Sequence, residues 1–453
     1  MLVPKNIMII GGNAAGPAAA AKAKRIAPVA NVVMFEAGDF ISTGTCELPY
    51  LLSGDIRDYK KIVFFNPESF EKEKGVKVLT NHLVEKIDRS SKRILVRNLI
   101  SNHSFEQNYD KLVLATGSKP KLIPQIPLDA ENVFYLKSVK DYLRIRNYLD
   151  NNPVSRILIV GAGYIGLESA EAFKRLSYQV TILEKESLPM PGVDEEVRHL
   201  ILDIIIKNGT EFFGRVNELK FGLNGNRITS LTYDGYTREF DLIILSPGVE
   251  PNNSLAIASK LNTGKFGGLR VDQKLKTSDP NIFAAGDNVE VVNRITGQFD
   301  YFPIATLAQQ FGHVAGENAA GGNTLIYPVV KNIAVKIFDK ILVQVGLNER
   351  EVAVLKKSTI SVKAVAPNLI KVMPGSENIF GKLIIDRSTR RIYGGVFLGG
   401  REVSGYGDLI AAFINNQIKV DELVKINYNY SPPVSPFINL LSILGRKAEK
   451  ELL

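Results

Sequence analysis

The sequence predicts an α/β protein built from two Rossmann-like units and a C-terminal α+β domain. Three observations carry this. Twice a short apolar run, of the kind buried on both faces of a parallel sheet, leads straight into a glycine-rich turn. The turns are Gly11-Gly12-Asn13-Ala14-Ala15-Gly16 and Gly161-Ala162-Gly163-Tyr164-Ile165-Gly166. Each is followed by helical text and then by a second apolar run ending in an acid, Glu36 or Glu184. From about residue 325 the pattern changes to alternating or clustered antiparallel-type strands with no glycine turn of this kind.

Composition narrows the class. A length of 453 residues suits two to four domains, at roughly 100–200 residues each. The charged fraction of 23% beside 45% hydrophobic residues is that of an ordinary soluble protein. The net charge of +9 is spread along the chain. No basic block with interleaved aromatics marks a nucleic-acid surface, while a positive surplus suits an anionic, phosphate-bearing ligand. One cysteine excludes an intramolecular disulfide and a CxxC metal site, so no metal is expected and a reducing compartment fits. Lys5 and the apolar residues 7–21 superficially resemble a secretory signal, but the glycine spacing and the basic Lys22, Lys24 and Arg25 argue against one. No run reaches the ~18 apolar residues of a membrane span. A cytoplasmic protein with no membrane partner is expected.

Taken in order, Asn6-Ile7-Met8-Ile9-Ile10 reads as the first strand, and the alanine-rich helix after Gly16 runs to about Ile26. Val32-Val33-Met34-Phe35 ends in Glu36, 20 residues beyond Gly16. This is a dinucleotide fingerprint: glycines for a tight turn, a helix N-terminus for pyrophosphate, a carboxylate for ribose hydroxyls. Asn13 occupies the second glycine slot, and a glycine turn without a ligand is the plain alternative.

The stretch Ser42-Thr43-Gly44-Thr45-Cys46-Glu47-Leu48-Pro49-Tyr50 holds the only cysteine and opens onto a helix expected over residues 48–53. A thiol at a helix N-terminus faces unpaired N–H groups and the positive dipole end, which lowers its pKa from ~8.5 to between ~3.5 and ~7.5. A reactive thiolate is therefore expected at Cys46, against the alternative of an inert buried cysteine.

Tyr109-Asp110-Lys111-Leu112-Val113-Leu114 is a strand ending at the small turn Ala115-Thr116-Gly117. Arg156-Ile157-Leu158-Ile159-Val160 enters the second, complete G-x-G-x-x-G, and Glu184 follows Gly166 by 18 residues. Phe240-Asp241-Leu242-Ile243-Ile244-Leu245-Ser246-Pro247-Gly248 repeats the aromatic-Asp strand and its turn. Two such units imply two nucleotides. Residues 220–226 read as a turn, from Gly222, Asn224, Gly225 and Asn226. Ile282-Phe283-Ala284-Ala285-Gly286-Asp287 places a carboxylate at the carboxyl edge of a sheet, where ligands of such folds sit. Residues 305–320 form a small-residue helix whose Gly312 and Gly316 permit close approach. Further on come strands around Ile333 and Leu383, helical text over residues 406–416, and Asn427-Tyr428-Asn429-Tyr430-Ser431-Pro432-Pro433.

With these motifs assembled, the chain resembles the FAD-dependent pyridine nucleotide-disulfide oxidoreductases over essentially its whole length. It looks nearest to their single-cysteine branch of CoA-disulfide reductases, NADH oxidases, NADH peroxidases and persulfide reductases. The resemblance rests on residues 11–16 with Glu36, residues 46–50, residues 115–117, residues 161–168, Ala285-Gly286-Asp287 and residues 430–433. It implies FAD at Gly11, Gly12, Ala15, Gly16, Glu36, Ala115, Thr116, Gly117, Gly286 and Asp287, with Asp287 on the ribityl chain. It implies NADH, with NADPH as the alternative donor, at Gly161, Gly163, Tyr164, Ile165, Gly166, Glu184 and Gly248, Tyr164 being an aromatic gate. It further implies a homodimer in which Tyr430 reaches the partner's Cys46, and CoA as a candidate ligand near Lys24 and Arg25. The domains it implies are FAD-binding at 1–119 and 252–324, NAD(P)H-binding at 120–251, and dimerisation at 325–453.

Three departures bear on the chemistry. No second cysteine exists, and none of the four histidines (His82, His103, His199, His313) lies in the last domain. Ala14 stands where the peroxidases place a histidine. Glu47 replaces the usual Gly or Ala after the cysteine. The expected activity is NAD(P)H-dependent reduction of a low-molecular-weight disulfide such as CoA disulfide, or of a persulfide, through Cys46. The alternatives are an NADH oxidase or peroxidase, and a redox-sensing flavoprotein with little turnover, which Glu47 keeps open.

Overall fold

A computed structural model describes residues 4–216 and 218–453 of the chain. Among the described residues three five-stranded sheets organise it, and two of them are built alike. The first runs Ile282–Ala284, Lys111–Leu114, Asn6–Ile10, Asn31–Phe35, Lys77–Leu79, all parallel. The second runs Val133–Tyr135, Leu242–Leu245, Arg156–Val160, Gln179–Leu183, Glu211–Phe213, again all parallel. In both, the strand before the glycine turn is central, flanked on one side by the aromatic-Asp strand and on the other by the strand that ends in the acid. Apolar runs buried on both faces are what this order requires, and Ile7, Met8, Ile9 and Ile157, Leu158, Ile159 are fully buried.

The aromatic-Asp repeat has a structural cause. Tyr109 and Phe240 are buried, and the aspartate after each caps the start of the central strand. Asp110 accepts from the amides of Lys5 and Asn6, both at 2.8 Å, and Asp241 accepts from those of Ser155 and Arg156 at 2.9 and 2.8 Å. Each aspartate thereby satisfies amides at the strand's N-terminal end and fixes its register against the aromatic strand.

The helix Ala305–Ala319 lies on Ala15–Ile26 at very short range. A Cβ on Gly312 or Gly316 would fall 2.3 Å from the Ala15 carbonyl oxygen or 2.1 Å from that of Ala19, so the glycines set the spacing of the pair.

The third sheet is antiparallel, in the order Asn332–Ile337, Lys340–Gly346, Ile392–Gly399, Asn378–Asp386, Thr359–Pro367. One face carries the helices Val403–Asn415 and Leu440–Glu451. The other packs Val335, Ile337, Phe338, Leu342, Val396 and Leu398 into the core of the second parallel unit. Burial on both faces covers most of Lys340–Gly346, Asn378–Asp386 and Ile392–Gly399, whereas Thr359–Pro367 alternates.

Residues 220–226 differ from expectation. Lys220–Asn224 is a strand paired antiparallel with Arg227–Tyr233, and the turn is confined to Gly225, at φ +60°, and its neighbour. Among the described residues no helix is long and apolar enough to cross a membrane.

Candidate active site

The two glycine turns close by the same contacts. Gly11 and Gly161 have φ of +109° and +105°, and a Cβ on them would lie 2.1 Å from the Ala115 carbonyl oxygen and 2.3 Å from that of Ser246. Each turn is therefore pressed against the small turn that ends the aromatic-Asp strand, which is why Ala115-Thr116-Gly117 and Ser246-Pro247-Gly248 carry small residues. The acids are held alike. Glu36 accepts from Gly12 N at 2.6 Å and Gly38 N at 2.7 Å; Glu184 accepts from Ala162 N at 2.7 Å and Glu186 N at 3.0 Å.

The helices that start here, Ala15–Ile26 and Tyr164–Arg175, have no side-chain cap and no acid in the first turn. Their N-terminal amides and positive dipole ends are left for an anion, so the cradles fit the pyrophosphates of two dinucleotides. Asn13 is accommodated because its slot is open: a Cβ at the equivalent Gly163 would meet nothing within 4 Å. Its Oδ1 accepts from Thr43 N at 3.0 Å and Thr43 Oγ1 at 3.2 Å, tying the first turn to the strand that precedes the cysteine.

Asp287 follows the edge strand Ile282–Ala284 at the same end of the first sheet. Its Oδ2 accepts from Ser118 Oγ at 3.0 Å, which accepts in turn from Lys137 Nζ at 3.0 Å. Burial pushes Asp287 up, with Lys137 and Ser118 opposing. Gly286 has φ +96° and a Cβ there would press on Ala15 Cβ at 3.0 Å. Thr116 Oγ1 donates to Asn252 O at 2.7 Å, and Tyr301 OH donates to Asp287 O at 3.0 Å. Lys137, Ser118 and Tyr301 belong to no motif, and their sequence distance from Asp287 left no local signal of the relay. In the second unit Tyr164 begins the helix and burial raises its hydroxyl to about 12, while Ile165 beside it is exposed.

Cys46 stands in the 3₁₀ turn Thr45–Glu47, which runs directly into the helix Leu48–Leu52. Leu48, Leu51 and Leu52 bury into the core of the second parallel unit, so this segment of the first unit is anchored on the second. The thiol is exposed. The expected lowering of its pKa is overturned: it is raised by desolvation, then by Glu47, Glu168 and Asp287, with Lys137 alone pulling it down. The helix after it has five residues and Pro49 near its start, which offers no N–H. So short a helix supplies little positive potential, and burial together with the carboxylates outweighs it. Glu47 folds back on the turn, where a Cβ on Gly44 would lie 2.5 Å from its Oε2.

Glu168, two residues after Gly166, was not expected in the site. Tyr50 OH donates to its Oε1 at 3.4 Å, and burial raises the carboxyl to about 7. Tyr430 lies elsewhere, exposed before the last helix and edge-on to Phe437 at 5.3 Å. Among the described residues no ring contact or hydrogen bond joins it to the Cys46 segment of the same chain. Lys24 is tied to the Ala30 carbonyl at 2.8 Å, and Lys22 pairs with Glu317 at 2.8 Å.

Two uncapped cradles, each with an amide-held acid, flanking one exposed thiol define a two-nucleotide redox protein. The chain belongs to the pyridine nucleotide-disulphide oxidoreductase family, whose model matches residues 5–310. It is similar to an NADH oxidase of Methanocaldococcus jannaschii, 30% identical over 98% of this chain and 99% of the relative. An NAD(P)H sulfur oxidoreductase (CoA-dependent) of Pyrococcus abyssi is 32% identical over 98% of both chains. Among solved structures, the reduced CoADR-RHD of Bacillus anthracis superposes with a TM-score of 0.95 at 28% identity, over 100% of this chain and 81% of that one.

Proposed function

We propose that this protein is an NAD(P)H-dependent flavoprotein reductase of low-molecular-weight disulfides or persulfides, with Cys46 as the redox thiol. The observation that carries this is the position of Cys46: its thiol feels Asp287 of the first cradle together with Glu168 and Lys137 of the second unit. FAD would be held by the first turn, Glu36, Thr116, Gly117 and Asp287, and NAD(P)H by the second turn, Tyr164 and Glu184; when bound, the two supply hydride chemistry. The domain limits drawn from the sequence, 1–119 with 252–324, 120–251 and 325–453, accompany this reading.

The chain's part is sulfur chemistry. The Cys46 thiolate attacks one sulfur of R–S–S–R, releases a thiolate and becomes the mixed disulfide Cys46–S–S–R. Two electrons from the donor then cleave that bond and return Cys46 with a second thiol. The balance is R–S–S–R + NAD(P)H + H⁺ → 2 RSH + NAD(P)⁺. CoA as the thiol is supported by the basic last turn of the helix Ala15–Ile26, which carries Lys24 and Arg25.

A homodimer is supported by the exposed apolar side chains of Tyr430, Val434, Phe437 and Ile438 in one short segment. A second reading, NADH oxidase, is favoured by the raised thiol, which makes a weaker nucleophile at neutral pH.

Cys46→Ser tests the first reading. The variant should keep bound FAD and the reduction of artificial dyes by NADH, and lose disulfide and persulfide reduction. Undiminished disulfide turnover would sink it. The mass of the denatured, unreduced protein shows whether CoA, a sulfur atom or oxygen rests on Cys46.

A further inference from the structure

The first glycine turn is joined to the cysteine segment by direct contacts. Ser42 N donates to Gly12 O at 2.8 Å, and a Cβ on Gly12 would fall 2.8 Å from Ile41 Cγ2, so the turn lies against the strand Ile41–Thr43. Asn13 Oδ1 takes both groups that Thr43 offers, its N–H at 3.0 Å and its hydroxyl at 3.2 Å. Gly44 N donates to Ile62 O at 2.8 Å. Three consecutive amides of the segment are thus held, two by the turn and one by the chain entering Val63–Phe65. Ser42 has φ +48°, a left-handed conformation that residues with a Cβ rarely adopt, and the hydrogen bonds around it hold it there. Cys46 follows Thr43 by three residues.

A dinucleotide fingerprint calls for glycine at this slot so that backbone can approach the pyrophosphate. The second unit keeps it as Gly163, with open space where a side chain would stand. The unit that carries the thiol instead has Asn13, and the side chain spans from the turn to Thr43. We propose that Asn13 is a positioning residue for the redox thiol: its amide oxygen fastens the Cys46 segment to the pyrophosphate turn, so that filling the first cradle also fixes the thiol in place. This rests on the reading of the first turn as the FAD site. Without the Asn13 side chain the Thr43 amide and hydroxyl turn to water, and the segment keeps the bonds of Ser42 and Gly44. Cys46 has to meet the group that reduces it, so a loosened segment slows the sulfur step, where a small misplacement is costly.

The test is amide hydrogen exchange of the full chain, read by mass spectrometry with and without FAD. In wild type, FAD should slow the exchange of residues 41–47. Asn13→Gly is compared at saturating FAD, so that a weaker cradle does not enter. It should exchange residues 41–47 roughly tenfold faster than wild type, about the worth of the lost bonds, with residues 161–168 of the second turn unchanged. Asn13→Asp keeps an acceptor oxygen and should restore slow exchange, while its charge in an anion cradle weakens FAD binding by roughly tenfold. The two variants separate the tether from the cradle. Disulfide turnover per bound FAD should fall by roughly tenfold in Asn13→Gly and recover in Asn13→Asp. Exchange of residues 41–47 in Asn13→Gly that matches wild type overturns the proposal, as does faster exchange shared equally by residues 161–168. If that variant does not fold, Thr43→Val, which loses one of the two bonds, should exchange roughly threefold faster, and an unchanged rate overturns the proposal instead. A wild type that binds FAD with residues 41–47 unchanged overturns the coupling. A wild type that binds no FAD, or binds it and reduces no disulfide, fails the functional reading, while exchange in the same proteins still decides whether Asn13 holds the segment.

Discussion

The backbone amide of Ala162 donates to the carboxylate of Glu184 at 2.7 Å, closing the second glycine turn onto the end of the neighbouring strand. The amide of Glu186 takes the other oxygen, so the side chain has no freedom to swing away. A carboxylate fixed there accepts from ribose hydroxyls and repels a 2′-phosphate. NADH should therefore be preferred to NADPH, with the exposed Lys185 keeping the preference moderate. Glu184→Gln should raise the NADPH-to-NADH ratio of kcat/KM by roughly tenfold, about the worth of one screened charge contact. A wild type that prefers NADPH would contradict the assignment.

Glu36 carries the same arrangement in the first unit, and its loss leaves two amides without an acceptor. Glu36→Ala should cost FAD retention more than folding. After gel filtration the ratio of flavin absorbance to protein should fall severalfold while the far-UV circular dichroism stays unchanged. Full flavin occupancy in the variant would remove Glu36 from the site.

Much of this was legible in the sequence because its signals are local. A glycine turn, the strand before it and the acid after it lie within one unit, and the spacing of Gly11 to Glu36 or Gly161 to Glu184 fixes how they meet. The aromatic-Asp repeat was visible as text, although its role in satisfying strand amides was not. What stayed hidden comes from residues far apart in the chain. Tyr50 and Glu168 are 118 positions apart, and Ser118 and Asp287 are 169 apart. The thiol's shift was misjudged for the same reason. The helix start beside Cys46 can be read locally, whereas the burial that raises the thiol most, and two of the three carboxylates that add to it, Glu168 and Asp287, arrive by folding.

Lys137 is a cation that lowers the thiol, and it reaches the site from the strand-to-helix connection after Val133–Tyr135. Lys137→Met should raise the Cys46 pKa further, slowing alkylation at pH 7 by severalfold, whereas Lys137→Arg should stay near wild type. Equal rates in the methionine variant would mean that the charge does not reach the sulfur.

Lys382 sits almost wholly buried where the third sheet meets the helix Glu195–Lys207, at 3.1 Å from Asp194, 2.8 Å from Glu196 and 2.7 Å from Glu349. Removing it leaves carboxylates without their buried cation, a loss of about 3–5 kcal/mol when one partner of a buried pair is deleted. Lys382→Met should therefore lower the melting temperature by about 5 °C or more, with activity per folded molecule preserved because the cluster is no part of the cysteine site. The pH dependence has a definite sign. Burial pulls Lys382 down, but Glu196, Glu349 and Asp194 outweigh it and raise the ammonium, so its contribution is complete below the ordinary lysine value and lost only above the raised one. Burial pushes Glu196 up, yet the hydrogen bonds from Lys363 and Lys382 hold it below its ordinary value, so that contribution is complete above the ordinary glutamate value and fades as pH falls through the lowered one. The gap in melting temperature between wild type and Lys382→Met should thus be flat from about pH 6 to 9 and narrow below about pH 4. A gap that vanished at pH 7 would mean that the cluster contributes packing and not charge.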